Sequence, residues 1–482
     1  MINTTIQTLG ELKKSGYISK RVKDEIRDNL ILKIQRNEVL FSDIHGYKHT
    51  VEPQIIRALL AGHNINFLGL RGQGKTRMAR HMTHFLDEYI PAIDGCEIME
   101  DPLAPITRQG RDMLSEYGDS LPIRWIHRSE RFFEKLATPD VSIADLIGDI
   151  DPIKAANERL SYSDERVIHF GMIPRAHRCI FVINELPDLQ PRIQVALFNA
   201  LEEGDVQIRG FKLRMNLDTH FVFTANPEDY TQRGSIVTPL KDRIGSQIFT
   251  HYPDEESSEK IYQQEMKQYQ PQRAGWTEAV NETLNAIIFL ARKSEFIDQK
   301  SGVSVRLGIT ARELLHAAAE ERCLINSQEL TAYRPVDFMA IIPAVLGKVE
   351  LVYEGEQMGA EGVAEDLIYA ALHRVLEIFE LPSMEKIKST DETHPYNKVV
   401  RWFEGNQEIQ LDSLSDDKMY RDTLNGIPSL YDLIAKVEPE NQEDQYFLME
   451  AVLWALCYRN RLSREVQDGK IIFFDTLSGY LN

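Results

Sequence analysis

The sequence is poor in cysteine and contains no long apolar run. Its 482 residues include four cysteines, Cys96, Cys179, Cys323 and Cys457, whose spacing fits neither a disulfide framework nor a zinc-binding pair. No stretch approaches the ~20 apolar residues that a membrane-spanning helix needs. The first 20 residues lack the apolar core of a secretory signal. We therefore expect reduced thiols, no structural zinc, no membrane span and a cytoplasmic location.

Basic residues are also in the minority. Lys and Arg total 55 against 74 Asp and Glu, which gives a net charge of −19. We therefore do not expect nucleic acid as a partner, because binding its phosphates requires an excess of cations. A local basic channel is still compatible with this net charge. The hydrophobic content of 43% fits an ordinary globular chain, and the length fits about three domains.

The hydrophobic pattern divides the chain into four regions. Residues 1–40 have apolar residues at helical spacing and predict one or two helices. In residues 41–254, β-rich runs such as NINFLGL, RCIFVINEL and THFVFTANP alternate with helical stretches, which predicts an α/β core with a largely parallel sheet. Residues 255–350 predict an all-helical domain. Residues 351–482 predict a helical C-terminal extension with a polar linker near 383–398.

A glycine-rich turn follows the first of these strands. The segment GLRGQGKT fits the pattern Gly-x-x-x-x-Gly-Lys-Thr between a predicted strand and a predicted helix. In this pattern the glycines let backbone N–H groups point at phosphates, Lys75 reaches the β and γ oxygens, and the Thr76 hydroxyl binds Mg²⁺. An ordinary glycine-rich turn is the alternative. We expect ATP and Mg²⁺ as cofactors, with the nucleotide bound by Gly69, Leu70, Arg71, Gly72, Gln73, Gly74, Lys75 and Thr76.

A second predicted strand, CIFVIN, is followed by an acidic residue. Glu185 is the candidate to orient and deprotonate an attacking water. Asn184 stands where such sites usually have aspartate. Its neutral oxygen can bind Mg²⁺ through a water but adds no charge, so we expect hydrolysis to be retained with weaker metal affinity. A buried strand that ends in a capped turn is the structural alternative.

Two further residues follow in the order expected of such an enzyme. The next strand, HFVFTANP, contains Asn226, which can touch the γ-phosphate and hold the water. Arg243, in IVTPLKDRIG, carries a planar fork of donors that suits a phosphate across a subunit interface. A surface salt bridge is the alternative role for Arg243.

Taken in order, these motifs resemble an AAA+ ATPase of the MoxR and magnesium-chelatase ATPase-subunit group. The resemblance covers residues 35–355 and is carried by HGYKHTVEPQIIRALLAGHNINFLGLRGQGKTRMAR, TPDVSIADLIGDIDPIKA and GMIPRAHRCIFVINELPDLQPRIQVALFNALEEGDVQIRG. It implies an α/β P-loop core whose parallel sheet is flanked by helices, followed by an all-helical lid and a helical C-terminal region. It also implies a strand–helix–strand insertion at GDIDPIKAANERLSYSDERVIHFGMI and a hairpin at GDVQIRGFKLRMNLDTH.

The resemblance further implies a sensor arginine in the lid segment GVSVRLGITARELL. This arginine maps best onto Arg306, and Arg312 is the alternative, although Arg312 also fits an ordinary solvated helix residue. Members of the group work as nucleotide-gated rings, often hexamers, that remodel a partner protein, often one with a von Willebrand factor A-like domain. We therefore expect a ring of identical subunits, such a partner, and catalytic roles for Glu185, Asn226, Arg243 and Arg306.

Two other functions remain open, and a third is disfavoured. The chain could be a nucleotide-dependent scaffold with little turnover, for which Asn184 is the sequence support. It could also be the ATPase subunit of a metal chelatase, although no segment reads as a porphyrin site. An enhancer-binding transcriptional activator shares the fold, but such proteins carry a GAFTGA loop and a helix-turn-helix tail that this sequence lacks.

Overall fold

The chain divides into two units, residues 1–253 and residues 254–482. Both are described from a computed structural model. The described residues are 4–157, 159–161, 164–208, 211, 214–227, 234–266, 273–384, 394–404, 407–467 and 470–476. No disulfide links the four cysteines. Within these ranges, no helix combines the length and the apolar character needed to cross a bilayer.

Strands and helices alternate along the first unit. Its strands are β1 (Ile65–Leu68), β2 (Tyr89–Ile93), β3 (Ile123–His127), β4 (Phe132–Leu136), β5 (Gly148–Ile150), β6 (Ile168–Phe170), β7 (Cys179–Asn184), β8 (Asp205–Gln207), β9 (Arg214–Asn216), β10 (Thr219–Ala225) and β11 (Ser246–Phe249). Its α-helices span Leu9–Lys14, Val22–Gln35, Glu52–Leu60, Lys75–His81, Arg108–Tyr117, Ile143–Leu146, Pro152–Asn157, Met172–Arg175, Pro191–Ala196, Phe198–Glu202 and Thr238–Arg243. Short 3-10 helices span Met82–Phe85, Gly118–Ser120, Arg128–Glu130, Glu165–Val167 and Leu186–Asp188.

Five of these strands form one parallel sheet in the order β11, β1, β10, β7, β4. Strands β1, β7 and β10 are buried along their whole length, as expected of parallel strands covered on both faces. The register pairs Leu68 with Ala225 and Leu136 with Asn184. The carboxyl ends of the central strands therefore meet at one edge of the sheet, where open α/β sheets bind ligands. The predicted parallel α/β core is confirmed.

Helices cover both faces of this sheet. Phe181 and Phe223 belong to the apolar core on one face. Phe67 and Val182 belong to the core on the other face, and the N-terminal helix Val22–Gln35 packs into that second core. The alternation of the two cores along β7 follows from the period of two in a strand, because successive side chains point to opposite faces. The sheet therefore lies between two apolar layers.

Three antiparallel pairs supplement the sheet. Strands β5 and β6 pair across the helix Pro152–Asn157, which confirms the predicted strand–helix–strand insertion. Strands β8 and β9 pair as the predicted hairpin, although residues 209–210 and 212–213 lie outside the described residues. The pairing of β2 with β3 was not predicted.

The second unit is mainly helical. Its α-helices span Glu255–Met266, Glu278–Ala291, Arg306–Ile325, Ile342–Leu346, Tyr353–Met358, Ala360–Ile378, Pro395–Phe403, Asp417–Asn425, Pro428–Ile434 and Gln442–Tyr458. Short 3-10 helices span Pro335–Ile341 and Ala435–Val437. The predicted helical character is confirmed. Most of the predicted polar linker, residues 385–393, lies outside the described residues.

A small sheet near the C-terminus was not predicted. Strands β12 (Ile409–Asp412), β13 (Leu462–Gln467) and β14 (Lys470–Asp475) form an antiparallel sheet in the order β12, β14, β13. Phe473 of β14 packs edge-on against Trp454, with ring centres 5.4 Å apart. This sheet covers part of the helix Gln442–Tyr458, which is buried on nearly all sides. The strands depend on that tertiary contact, which explains why their local signal is weak.

Candidate active site

The turn after β1 has an unusual backbone. Gly72 and Gly74 have φ angles of 73° and 68°, in the left-handed region that favours glycine. A Cβ at Gly69 would collide with the side chains of Gln73 and Thr250. Gly74 is the N-cap residue of the helix Lys75–His81 and, as a glycine, brings no side chain to cap the first turn. This glycine-rich loop therefore directs the N-terminal end of a helix, which favours anions, toward the carboxyl edge of the sheet.

Lys75 lies inside this loop. Only 7% of the residue is exposed. Its Nζ donates to the carbonyl oxygen of Gly69 and, at 3.0 Å, to that of Leu70. The loop therefore encloses a cation that can transfer its hydrogen bonds to phosphate oxygens.

Three side chains from elsewhere in the unit brace the loop. The Tyr47 hydroxyl lies 2.7 Å from the carbonyl oxygens of Gln73 and His251. Thr250 Oγ1 donates to Gln73 Oε1 at 2.6 Å, and the Tyr252 hydroxyl donates to the Arg71 carbonyl oxygen at 3.2 Å. These bracing residues were not predicted. Tyr47 lies in the segment HGYKHT, which contributes to the resemblance described above, but that segment gave no indication of this contact. Residues 250–252 carry no local signal, because they reach the loop only through the pairing of β1 with β11.

The loop and the second strand meet through Thr76 and Asn184. Thr76 Oγ1 donates to Asn184 Oδ1 at 3.1 Å, and Thr224 Oγ1 donates to the same oxygen at 2.9 Å. Asn184 Nδ2 donates to Glu134 Oε1 at 2.6 Å. These contacts leave one consistent orientation for the amide, with its oxygen toward the hydroxyls and its nitrogen toward the carboxylate. The two residues predicted to bind the metal are thus brought together, and Glu134 joins them without having been predicted.

Glu185 and Asn226 lie at the same edge of the sheet. Glu185 has φ 54°, a strained conformation for a residue other than glycine. Its N–H donates to Thr224 Oγ1 at 3.2 Å. Asn226 is only 1% exposed, and among the described residues nothing forms a hydrogen bond with its Oδ1. A buried acceptor of this kind is costly unless a ligand or water satisfies it, which fits a residue that holds a water beside a phosphate.

Arg243 has partners within its own unit. It ends the helix Thr238–Arg243, and its Nε donates to Glu202 Oε2 at 2.6 Å. Its guanidinium carbon lies 4.8 Å from the centre of the Phe198 ring. Within one chain, Arg243 therefore forms the salt bridge that was its alternative role. A role in a neighbouring subunit stays a prediction.

The two candidate sensor arginines belong to the second unit and differ strongly. Arg306 begins the helix Arg306–Ile325 and is exposed. Arg312 is buried, with Nη2 2.5 Å from Glu259 Oε2 and Nη1 3.0 Å from Asn281 Oδ1. Its guanidinium also lies over the rings of Tyr262 and Trp276. The interpretation of Arg312 as a solvated helix residue is wrong, because neighbouring helices enclose it.

These features together fit a bound nucleoside triphosphate with Mg²⁺. The loop offers a helix N-terminus and the Lys75 ammonium to phosphates. Thr76 Oγ1 and Asn184 Oδ1 are neutral oxygen ligands, which suit Mg²⁺ directly or through water. Asn226 Oδ1, which has no hydrogen-bond partner among the described residues, lies at the same edge.

Comparison with known families identifies part of this unit. Residues 124–244 match the AAA domain (dynein-related subfamily). This segment includes Glu185, Asn226 and Arg243 and begins after the glycine-rich loop. The predicted resemblance to AAA+ ATPases is therefore confirmed for residues 124–244. No curated protein is detectably similar to the chain in sequence.

Three solved structures illustrate the likeness found by structural comparison. A provisionally assigned ATPase of Cytophaga hutchinsonii is 17% identical, covers 74% of this chain and 97% of its own, and has a TM-score of 0.30. NtrX of Brucella abortus in complex with ADP is 14% identical over 77% of this chain and 69% of its own, with a TM-score of 0.38. A chain from a complex of the magnesium chelatase subunits BchI and BchD is 19% identical. The match covers 66% of this chain and 98% of that one, with a TM-score of 0.34.

Proposed function

We propose that the chain is an ATP-hydrolysing AAA+ ATPase of the MoxR and magnesium-chelatase-like group. The observation that carries this proposal is the contact of Thr76 with Asn184 at 3.1 Å, because it joins the glycine-rich loop to the strand that leads into Glu185. Gly69, Leu70, Arg71, Gly72, Gln73 and Gly74 would surround the phosphates, and Lys75 would bind the β and γ oxygens.

Mg²⁺ would be held by Thr76 directly and by Asn184 through a water. When bound, the ion neutralises charge on the phosphate oxygens. Glu185 would accept the proton of the attacking water, and the buried amide of Asn226 would orient that water toward the γ-phosphate. Two observations support these roles: the left-handed backbone at Glu185, and an Asn226 Oδ1 to which no described residue donates a hydrogen bond. Such costs are typical of functional positions.

The active enzyme would be a ring of identical subunits, with a hexamer as the expected form. Arg243 would complete the nucleotide site of the neighbouring subunit, and Arg306 would sense the nucleotide from the lid. The ring would remodel a cytoplasmic protein partner, for which a protein with a von Willebrand factor A-like domain is the first candidate. The order of the motifs along the chain supports this part of the proposal.

A second candidate is a nucleotide-dependent scaffold with little turnover. The observation that favours it is the neutral Asn184 at the metal side of the site. The two functions differ in turnover and agree in nucleotide binding, so one set of measurements separates them.

The test combines binding of a fluorescent ATP analogue with phosphate release in Mg²⁺. Wild-type protein should bind and hydrolyse, Lys75→Ala should do neither, and Glu185→Gln should bind with hardly any turnover because an amide cannot take the proton. Near-normal binding by Lys75→Ala would remove the site assignment. Binding by the wild type without phosphate release would establish the scaffold instead.

A further inference from the structure

We propose that Glu134 supplies, from the neighbouring strand, the negative charge that Asn184 does not bring to the metal side of the site. This inference rests on the proposed Mg²⁺–nucleotide function. In the usual arrangement the carboxylate follows the second strand of the site, at the position of Asn184. In this chain the carboxylate stands one strand further along the sheet, on β4, and contacts Asn184 itself.

The sheet register makes this contact possible. Strands β4 and β7 are parallel neighbours, with Glu134 beside Val182 and Leu136 beside Asn184. Glu134 and Leu136 are two residues apart and so share one face of the sheet. From that face the Glu134 carboxylate reaches forward to the end of β7, where its Oε1 lies 2.6 Å from Asn184 Nδ2.

The Asn184 amide lies between Thr76 and Glu134 and can satisfy the hydrogen-bonding needs of both. Its oxygen accepts hydrogen bonds from the hydroxyls of Thr76 and Thr224, and its nitrogen can only donate to the carboxylate. An aspartate at position 184 would instead place two carboxylates in contact, and like charges at that distance oppose each other's ionisation. The neutral residue at 184 and the acidic residue at 134 therefore form one unit with a single negative charge.

Glu134 keeps that charge available despite a second partner. Arg80 Nη2 lies 2.8 Å from Glu134 Oε2, and 66% of the Arg80 side chain is exposed. Ion pairs with so exposed a member are weak. We infer that Glu134 is a positioning residue that acts on the metal through Asn184 and the waters around the ion, and that it does not contact substrate.

The test measures metal affinity rather than turnover. The full-length protein is saturated with ADP and titrated with Mn²⁺ as the probe, and free Mn²⁺ is followed by electron paramagnetic resonance. Glu134→Gln retains an acceptor for Asn184 but removes the charge, so Mn²⁺ affinity should fall about tenfold, the usual cost of losing an outer-shell partner. ADP affinity in EDTA should stay at the wild-type value. The exchange variant Glu134→Gln with Asn184→Asp returns one carboxylate to the pair and should restore Mn²⁺ affinity to near wild type.

Arg80→Gln is the matched control, because it breaks the ion pair with Glu134 and leaves the carboxylate in place. We expect it to leave Mn²⁺ affinity undiminished. The proposal is overturned if Glu134→Gln binds Mn²⁺ as wild type does, if Arg80→Gln reproduces the loss, or if the exchange variant fails to recover. Failure of the wild-type protein to bind ADP at all would be a different result, since it would remove the proposed function itself.

Discussion

Arg243 and Glu202 of the same chain form an ion pair, with Arg243 Nη2 2.5 Å from Glu202 Oε2. The Arg243 side chain is 27% exposed and that of Glu202 is 53% exposed. An ion pair this open to solvent contributes at most about 1 kcal/mol. Arg243 can therefore leave Glu202 at little cost and donate to a phosphate in a neighbouring subunit. The two roles are compatible structurally and must be separated by experiment.

Arg243→Ala should lower ATP turnover roughly 10³–10⁵-fold and leave ATP binding nearly intact, because an arginine finger neutralises charge that develops on the transferred phosphoryl group. The decisive measurement mixes this variant with Lys75→Ala after dissociation and reassembly. An Arg243→Ala subunit has an intact loop, and a Lys75→Ala neighbour supplies the missing arginine. Mixed rings should regain part of the wild-type activity, depending on the mixing ratio.

Glu202→Gln is the control for that experiment, since it weakens the same ion pair and keeps the arginine. Turnover near the wild-type value is expected from it. If Glu202→Gln instead matched the loss in Arg243→Ala, the salt bridge would be the functional unit. If assemblies shown by mass to be mixed recover no ATPase activity at any mixing ratio, the result would contradict both the role of Arg243 as an arginine finger and the proposed ring.

Asn184→Asp alone should lower the melting temperature of the metal-free protein. In the wild type, Glu134 Oε1 lies 2.6 Å from Asn184 Nδ2. An aspartate at position 184 would replace that nitrogen by a carboxylate oxygen, and the two negative charges would repel each other. Mg²⁺ with ADP should raise the melting temperature of this variant more than that of wild type, because the cation compensates the added charge. Thermal unfolding with and without MgADP measures the difference. Equal shifts in the two proteins would show that position 184 lies too far from the ion to sense its charge.

Glu25→Gln should destabilise the first unit by about 3–5 kcal/mol, since it leaves a buried arginine without its counter-charge. Arg131 is fully buried, and its two terminal nitrogens lie 2.6 and 2.8 Å from the Glu25 carboxylate. Urea unfolding gives the free energy. Asp119→Asn is the matched control: it removes an exposed ion pair with Lys13 and should lower the free energy of unfolding far less than Glu25→Gln does. Similar losses in the free energy of unfolding for the two variants would show that burial does not set the contribution of the ion pair.

Glu450→Gln should remove a pH dependence from the stability of the second unit. Burial raises the pKa of the Glu450 carboxyl from 4.5 to about 7. Between these values the folded state holds a proton that the unfolded state has lost, so the stabilisation present below pH 4.5 disappears as the pH rises through 7. The amide resembles the protonated acid and can still accept from Trp454 Nε1. At pH 8 the variant should be more stable than wild type by roughly 3 kcal/mol.

Urea midpoints from pH 5 to pH 8 measure this effect, and Glu443→Gln on the exposed part of the same helix is its control. The control should keep the pH profile of the wild type. A Glu450→Gln profile as steep as that of the wild type would show that other groups cause the pH dependence.

Much of the site was predictable because its residues lie next to distinctive local patterns. The loop from Gly69 to Thr76 could be read from glycine spacing after an apolar strand. Asn184, Glu185 and Asn226 could be read because each ends or directly follows a strand that is buried on both faces. Glu134 carried no such signal, since it stands within a short strand of mixed composition. Arg312 was misread because an arginine on a helix is ordinarily solvated, and only the packing of Tyr262 and Trp276 reveals its burial.

The sequence by itself determined that this chain has a parallel α/β core, a glycine-rich phosphate loop, and polar residues at the ends of the following strands, because each of these depends on neighbours within a few residues. Only the tertiary structure decided which of those residues touch. The order β11, β1, β10, β7, β4 brings Thr76 to Asn184 and Asn184 to Glu134. These contacts join positions 108 and 50 residues apart. Such contacts depend on which strands become neighbours in the sheet. The hydrophobic burial that drives strand association is non-directional, so it leaves no periodic pattern in the sequence from which these contacts could be read.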